Sequence, residues 1–139
     1  MTPGLVVDAS VALKWLIDEP GSDQANELLD AHLDQSMTLA APGHLLAEVG
    51  NGLRKLVARG SMDGPDAASA LEDLVDLDID LLDSTPVWPR TLEAALQWQV
   101  TTYDAVYVLT ALDRGTDLVT ADARLHTSCS PLGLPVRLI

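Results

Sequence analysis

Short apolar runs, set apart by longer segments of helical spacing, constrain this chain more than any other feature. LVVD at 5–8, MTLAAP at 37–42, DLVT at 117–120 and PVRLI at 135–139 each have the length and aliphatic content of a strand. DIDLLD at 78–83 alternates acidic and apolar residues, the pattern of a half-exposed strand. Ser10 is placed to cap a helix that carries Trp15 and Leu16 and stops before Pro20-Gly21. A second helix is expected from about Ser22 to Ser36, and a long one from about Gly43 to Arg59, ended by Gly60. DGPDAASALEDLVDL reads as another, and Pro86 and Pro89 flank the start of a helix reaching Gln99. TTYDAVYVLTALDRG is apolar almost all round, so that helix belongs in the interior, and ADARLHTS forms a short helical turn.

Strands alternating with helices predict an α/β fold, a mostly parallel central sheet flanked by helices on both faces. The length of 139 residues suits a single domain spanning 1–139, with no repeat or low-complexity linker to divide it. Hydrophobic residues at 47% and charged residues at 21% are the mix of a globule rather than a disordered tail. The apolar stretches fall far short of the ~20 residues that cross a bilayer, and no basic, apolar leader opens the chain. A cytoplasmic location with no membrane partner is the expectation. Cys129 is the only cysteine, which excludes an internal disulfide and a cysteine-rich zinc knuckle, and it reads as a small, semi-buried hydrophobe. The formal net charge is −13, from 21 acids against 8 bases. Such a surface repels polyanions, so any nucleic-acid chemistry needs metal cations or a basic partner chain.

In open parallel sheets, ligands bind beyond the carboxyl ends of the strands. Asp8 stands at such an end, directly after LVV, and Asp122 follows LVT after one residue. Glu48 borders the core stripe of its helix, formed by Leu45, Leu46, Val49, Leu53 and Leu56; its forward neighbours Asn51 and Gly52 offer no salt-bridge partner. Asp104 opens the buried helix, where Thr101 and Asp104 fit a capping box and an acid suits the helix dipole. Each acid taken singly has a structural account as a cap or a first-turn charge. Four of them around the expected binding edge look instead like a divalent-cation site, because hard oxygen ligands suit Mg²⁺ or Mn²⁺.

VVDASVALKWL, PGHLLAEVGNGLRKL, TTYDAVYVLTAL and LVTADARL, in that order and at these intervals, resemble the motifs of the PIN-domain ribonucleases. The length points to the VapC-type toxins of toxin–antitoxin pairs. The resemblance runs from Leu5 to the closing strand and is thinnest between Ser61 and Val100. It implies a PIN-like fold and a metal-dependent endoribonuclease, with Asp8, Glu48, Asp104 and Asp122 as the catalytic and metal-holding quartet. Ser10, Thr120 and Asn51 match polar positions that support such a site. It also implies Mg²⁺ or Mn²⁺ as cofactor, RNA as substrate, a cognate antitoxin that is basic where it docks, and a homodimer. The competing reading is a catalytically silent PIN-like module whose acids only set the fold and bind a partner.

Other chemistries find little support. His32, His44 and His126 have no partner histidine at i,i+4 and read as surface or turn residues; no G-x-S-x-G elbow, G-x-G-x-x-G or Walker loop occurs. An aspartyl-phosphate phosphatase wants an acid two residues after Asp8, where Ser10 stands. Arg54, Lys55 and Arg59 cluster late in the long helix, either as charges favourable at a helix C-terminus or, with Lys14, as an RNA-phosphate rim. Trp15, Trp88 and Trp98 read as core or interface aromatics in a protein without Phe, with base stacking as the alternative.

Overall fold

A computed structural model describes residues 2–139. Its strands are β1 (Gly4–Val7), β2 (Thr38–Pro42), β3 (Asp80–Leu82), β4 (Leu118–Thr120) and β5 (Val136–Leu138). They form one sheet in the order β3-β2-β1-β4-β5, and every neighbouring pair runs parallel. The helices are α1 (Ala9–Leu16), α2 (Ser22–Leu33), α3 (Leu45–Ala58), α4 (Gly64–Asp76), α5 (Thr91–Trp98), α6 (Thr102–Arg114) and α7 (Ala123–Cys129). The α/β expectation, a parallel sheet flanked by helices, holds.

Burial explains the strand sequences. Val6, Val7, Leu39, Ala41, Leu118 and Val119 are fully enclosed, as a sheet covered on both faces requires, so its central strands carry no alternation. DIDLLD does alternate, and it supplies the edge strand β3, whose Asp80 and Leu81 are exposed. Along α6, every residue from Ala105 to Ala111 is buried, which accounts for its all-round apolar sequence. In α3 the stripe of Leu45, Val49 and Leu53 enters the core, while Leu46 and Leu56 pack at its margin. At Gly52 a β-carbon would stand 2.8 Å from Leu13 Cδ1, so the glycine permits α3 to lie close against α1. Cys129 is buried, and that burial pushes its thiol up to about 11, far from a reactive thiolate. Among the described residues no helix is long and apolar enough to cross a membrane.

The chain lays β1, β2 and β3 outward in one direction, then returns to place β4 and β5 on the other side of β1. The reversal falls between β1 and β4, and in sheets of this kind the crevice at the carboxyl ends beside that reversal is where ligands bind. Asp8 and Asp122 follow those two strands.

Candidate active site

Asp8 caps α1. Its extended backbone (φ −106°, ψ −179°) ends β1, and its Oδ1 accepts from the backbone N–H of Ser10 at 3.0 Å and Val11 at 3.3 Å. This corrects the expectation that Ser10 is the cap. The acid comes first in the chain and takes the free N–H groups, which leaves the Ser10 hydroxyl inside the first turn with other work.

That work is to tie two strands together. Ser10 Oγ donates to Asp8 Oδ1 at 2.5 Å and accepts from the backbone N–H of Ala121 at 2.8 Å. Thr120 Oγ1 donates to Asp8 Oδ2 at 2.5 Å and accepts from the backbone N–H of Asp122 at 3.0 Å. Both hydroxyl hydrogens are committed to Asp8, so the 3.3 Å approach between the two hydroxyls is a contact with no proton of its own. Asp8 Oδ1 therefore carries three donors and is saturated, while Oδ2 carries one and keeps a lone pair free. Asp8 is only 6% exposed, and burial drives its carboxyl up to about 6 against the opposing pull of the Ser10, Thr120 and Val11 hydrogen bonds; the Asp104 charge adds a small upward push.

Asp122 caps α7, accepting from the backbone N–H of Arg124 at 2.9 Å and Leu125 at 3.4 Å. Thr101 caps α6 through the N–H of Asp104 at 3.0 Å, as the capping-box reading expects. Asp104 is half-buried, and burial raises its carboxyl; the Thr101 hydroxyl opposes this, and the charges of Asp122 and Glu48 add to it. Asp104 thus feels the charges of Asp122 and Glu48, and its own charge reaches Asp8. It lines one cleft with Asp122, Thr101 and Arg124.

Glu48 reaches the same edge from α3. Its Oε1 accepts from the Tyr107 hydroxyl at 2.8 Å, and His44 Nε2 stands 3.1 Å from that oxygen, a charge-pair distance without hydrogen-bond alignment. Tyr107 is buried on α6, and desolvation with the adjacent Glu48 charge holds its hydroxyl firmly protonated, a permanent donor. Glu48, Asn51, Lys55, His44 and Tyr103 line a groove beside the Asp104 cleft.

The remaining sequence candidates divide by position. Lys55 lines that groove, Arg54 is exposed on α3, and Arg59 ends the helix. Lys14 has its ammonium taken up by Glu19 Oε1 at 3.0 Å and the Pro20 carbonyl at 2.6 Å, with its side chain 13% exposed. His32 is structural, bridging the Leu39 N–H and the Asp78 carbonyl, and His126 is half-buried. His44 lies in the expected turn, just before α3, with its ring half-buried among those of Trp88, Tyr103 and Tyr107. Its spacing of four before Glu48 is the sequence signal for their contact. Arg124 was legible two residues after Asp122, whereas nothing in the sequence singles out Tyr107.

The donor set at this edge is carboxylate and hydroxyl oxygen, hard ligands that suit Mg²⁺ or Mn²⁺ and not softer metals. The free lone pair of Asp8 Oδ2 and the crowding felt at Asp104 fit a cation there. Among the described residues no three acidic, histidine or cysteine side chains stand together at ligating distance, so holding an ion jointly requires side-chain rotation.

The PIN domain model matches residues 5–128. Ribonuclease VapC1 of Mycobacterium tuberculosis is 36% identical over 135 residues, covering 96% of this chain and 94% of that protein. The crystal structure of PAE2754 from Pyrobaculum aerophilum superposes with a TM-score of 0.70 at 23% identity, over 92% of this chain and 87% of that one. VapBC2 from Rickettsia felis, solved bound to a DNA fragment from its promoter, gives a TM-score of 0.69 at 15% identity, over 98% of both chains. With a family match over nearly its whole length and a VapC ribonuclease among its relatives, the chain belongs to the PIN domain family, in its VapC ribonuclease branch.

Proposed function

We propose that the protein is a divalent-metal-dependent endoribonuclease, the toxin of a type II toxin–antitoxin pair, cleaving RNA phosphodiester bonds at the edge formed by Asp8, Glu48, Asp104 and Asp122. The observation that carries this reading is the tie around Asp8. A buried carboxylate held by four donors, on a scaffold that also fixes the N–H of Asp122, is more elaborate than a helix cap requires. A divalent cation bound there supplies a lowered pKa for water and neutralises the charge that builds on the phosphate. Asp8 through Oδ2, Asp104 and Asp122 from their shared cleft, and Glu48 from the adjoining groove are the residues that would hold it. Ser10 and Thr120 fix the orientation of Asp8, and Asn51 lies a helical turn beyond Glu48 on the groove wall. Lys55 supplies a cation for RNA phosphate at the same groove.

A basic antitoxin is the expected partner, because a surface of net charge −13 and an acidic edge favour a cationic chain. Leu92 and Leu96, four apart on α5 and 63% and 73% exposed, support burial against a second copy in a homodimer. A cytoplasmic location accords with a partner and substrate found there.

The test is cleavage of a defined RNA by the purified protein with Mg²⁺ or Mn²⁺ and with chelator, for wild type, Asp8→Asn and the exposed control Asp73→Asn. Metal-dependent cleavage lost only in Asp8→Asn is expected. At ten times its dissociation constant, the metal should stabilise the wild type by about 1.4 kcal/mol, and Asp8→Asn by less at the same concentration. A second reading, the silent interaction module, draws on the absence of three grouped ligands among the described residues. Equal metal shifts in both proteins and no cleavage by either would establish it.

A further inference from the structure

Among the described residues, three buried side-chain polar atoms have no hydrogen-bond partner: Nδ1 and Nε2 of His44 and Oγ of Ser84. All three are closed to solvent, and His44 Nε2 stands 3.1 Å from Glu48 Oε1, so these atoms belong to a packed wall. His44 and Ser84 line one cleft, with Thr85, Asp83 and Trp88 on its walls. Its volume is about 260 Å³, just under the ~300–1,000 Å³ of sites for drug-sized molecules, which suits one flat ring system.

The aromatic residues are distributed unevenly. The chain has three Trp, two Tyr and no Phe. Trp15 is anchored through its Nε1 to the Ala25 carbonyl, Trp98 packs on the core, and Tyr107 is buried. Of the two exposed rings, Trp88 at 39% lines this cleft and Tyr103 at 55% lines the adjoining groove of Glu48 and Lys55. They meet edge to face, 6.2 Å apart at 87°, and His44 lies 6.0 Å from one and 5.7 Å from the other. Exposing two of five aromatics against each other gives a flat heteroaromatic ring a π-face on which to stack.

We propose that this cleft is a nucleobase pocket, which takes one unpaired base of the RNA next to the phosphate engaged at the acidic edge. This rests on the ribonuclease reading. The base ring stacks on Trp88, with Tyr103 closing the corner and the His44 ring backing the pair. The cleft adjoins the reactive edge through His44, which also lines the groove of Glu48 and Lys55. Lys55 faces that groove as the cation for phosphate, whereas Asp83, with its Oδ1 taken by the N–H and hydroxyl of Thr85, leaves an acidic wall at the cleft. An acidic wall repels phosphate, so the uncharged part of the nucleotide is what enters.

The test is equilibrium binding of a mixed-sequence single-stranded RNA hexamer and of a fully abasic hexamer carrying the same phosphates. Ca²⁺ serves as the cation. Wild type should bind the base-bearing hexamer at least about tenfold tighter, the scale of one aromatic–base stack. Trp88→Leu should lose most of that preference while its affinity for the abasic hexamer stays within about twofold, and Tyr103→Leu, at the more exposed ring, should lose part of it. Equal wild-type affinity for the two hexamers, or an unchanged preference in a folded Trp88→Leu or Tyr103→Leu, overturns the pocket. So does a Trp88→Leu variant that keeps the RNA preference and instead releases a co-purifying protein, since the cleft is then a protein contact. Cleavage is measured separately on the same proteins: a wild type that binds as described but never cuts RNA refutes the nuclease reading, not the pocket.

Discussion

The two sides of the acidic edge are built differently. Asp8 is enclosed, and all four of its donors come from α1 or from Thr120 at the end of β4, elements whose backbones the sheet fixes. Glu48 projects from α3 with its side chain 33% exposed, held by one hydroxyl and approached by one imidazole, both at the ends of longer side chains. A carboxylate tied to main-chain scaffolding is fixed before any ligand arrives; one tied to side chains keeps freedom to adjust. The Asp8 side therefore sets where a cation or phosphate sits, and the Glu48 side accommodates what has bound.

The largest expected effect tests that division in catalysis. Losing a positioned charge at the reacting centre typically costs about 10²–10³ in rate, and Asp8→Asn should fall at the upper end with the fold retained. Glu48→Gln should lose about tenfold less than Asp8→Asn, because the adaptable side tolerates a neutral isostere better. Single-turnover cleavage rates on one RNA check this, and equal losses would remove the distinction.

Next in size is a pH effect led by Asp8. Its folded pKa of about 6 lies above the ordinary 3.8, so the stability that neutral Asp8 contributes is fully present below about pH 4. It is lost as pH rises through about 6. The loss in metal-free protein at neutral pH amounts to at most about 3 kcal/mol. Denaturant unfolding in chelator between pH 4 and 8 should show that slope in wild type and a shallower one, left by Asp104, in Asp8→Asn, which should also melt higher than wild type near pH 7. A variant less stable than wild type at pH 7 would make Asp8 a cap first and a ligand second.

A third comparison sets Thr120→Val against Tyr107→Phe. Removing the Thr120 hydroxyl strips a donor from a buried carboxylate and an acceptor from the Asp122 N–H, at a cost of about 1–3 kcal/mol, with metal affinity falling about 10–100-fold. Tyr107→Phe removes one hydrogen bond to a partly exposed acid and should cost about 1 kcal/mol or less, with a smaller change in metal affinity. Calorimetric titration of metal on both variants separates them. The smallest effect belongs to the groove: Lys55→Gln should raise KM for RNA a few-fold and flatten its salt dependence, whereas Arg54→Gln, outside the groove, should not.

What the sequence by itself determined follows from periodicity and chain order. Aliphatic runs at strand length and an all-round apolar helix dictate a parallel sheet covered on both faces, and those elements stand within a few residues of their expected bounds. The positions of Asp8 and Asp122 at strand ends were equally legible, because they depend only on where an apolar run stops. The tertiary structure alone decided the partners. With Asp8 as the cap of α1, the Ser10 hydroxyl finds the Ala121 N–H, 111 residues away in sequence. Tyr107 meets Glu48 across 59 residues, and His44 turns inward because rings from α6 and from the turn Trp88–Arg90 enclose it. Lys14 pairs with Glu19 because the turn at Gly21 folds the chain back over its side chain. Spacing along a helix or strand is local and survives in the sequence; which side chains meet across the sheet's carboxyl edge depends on strand order and register, fixed only when the whole core closes.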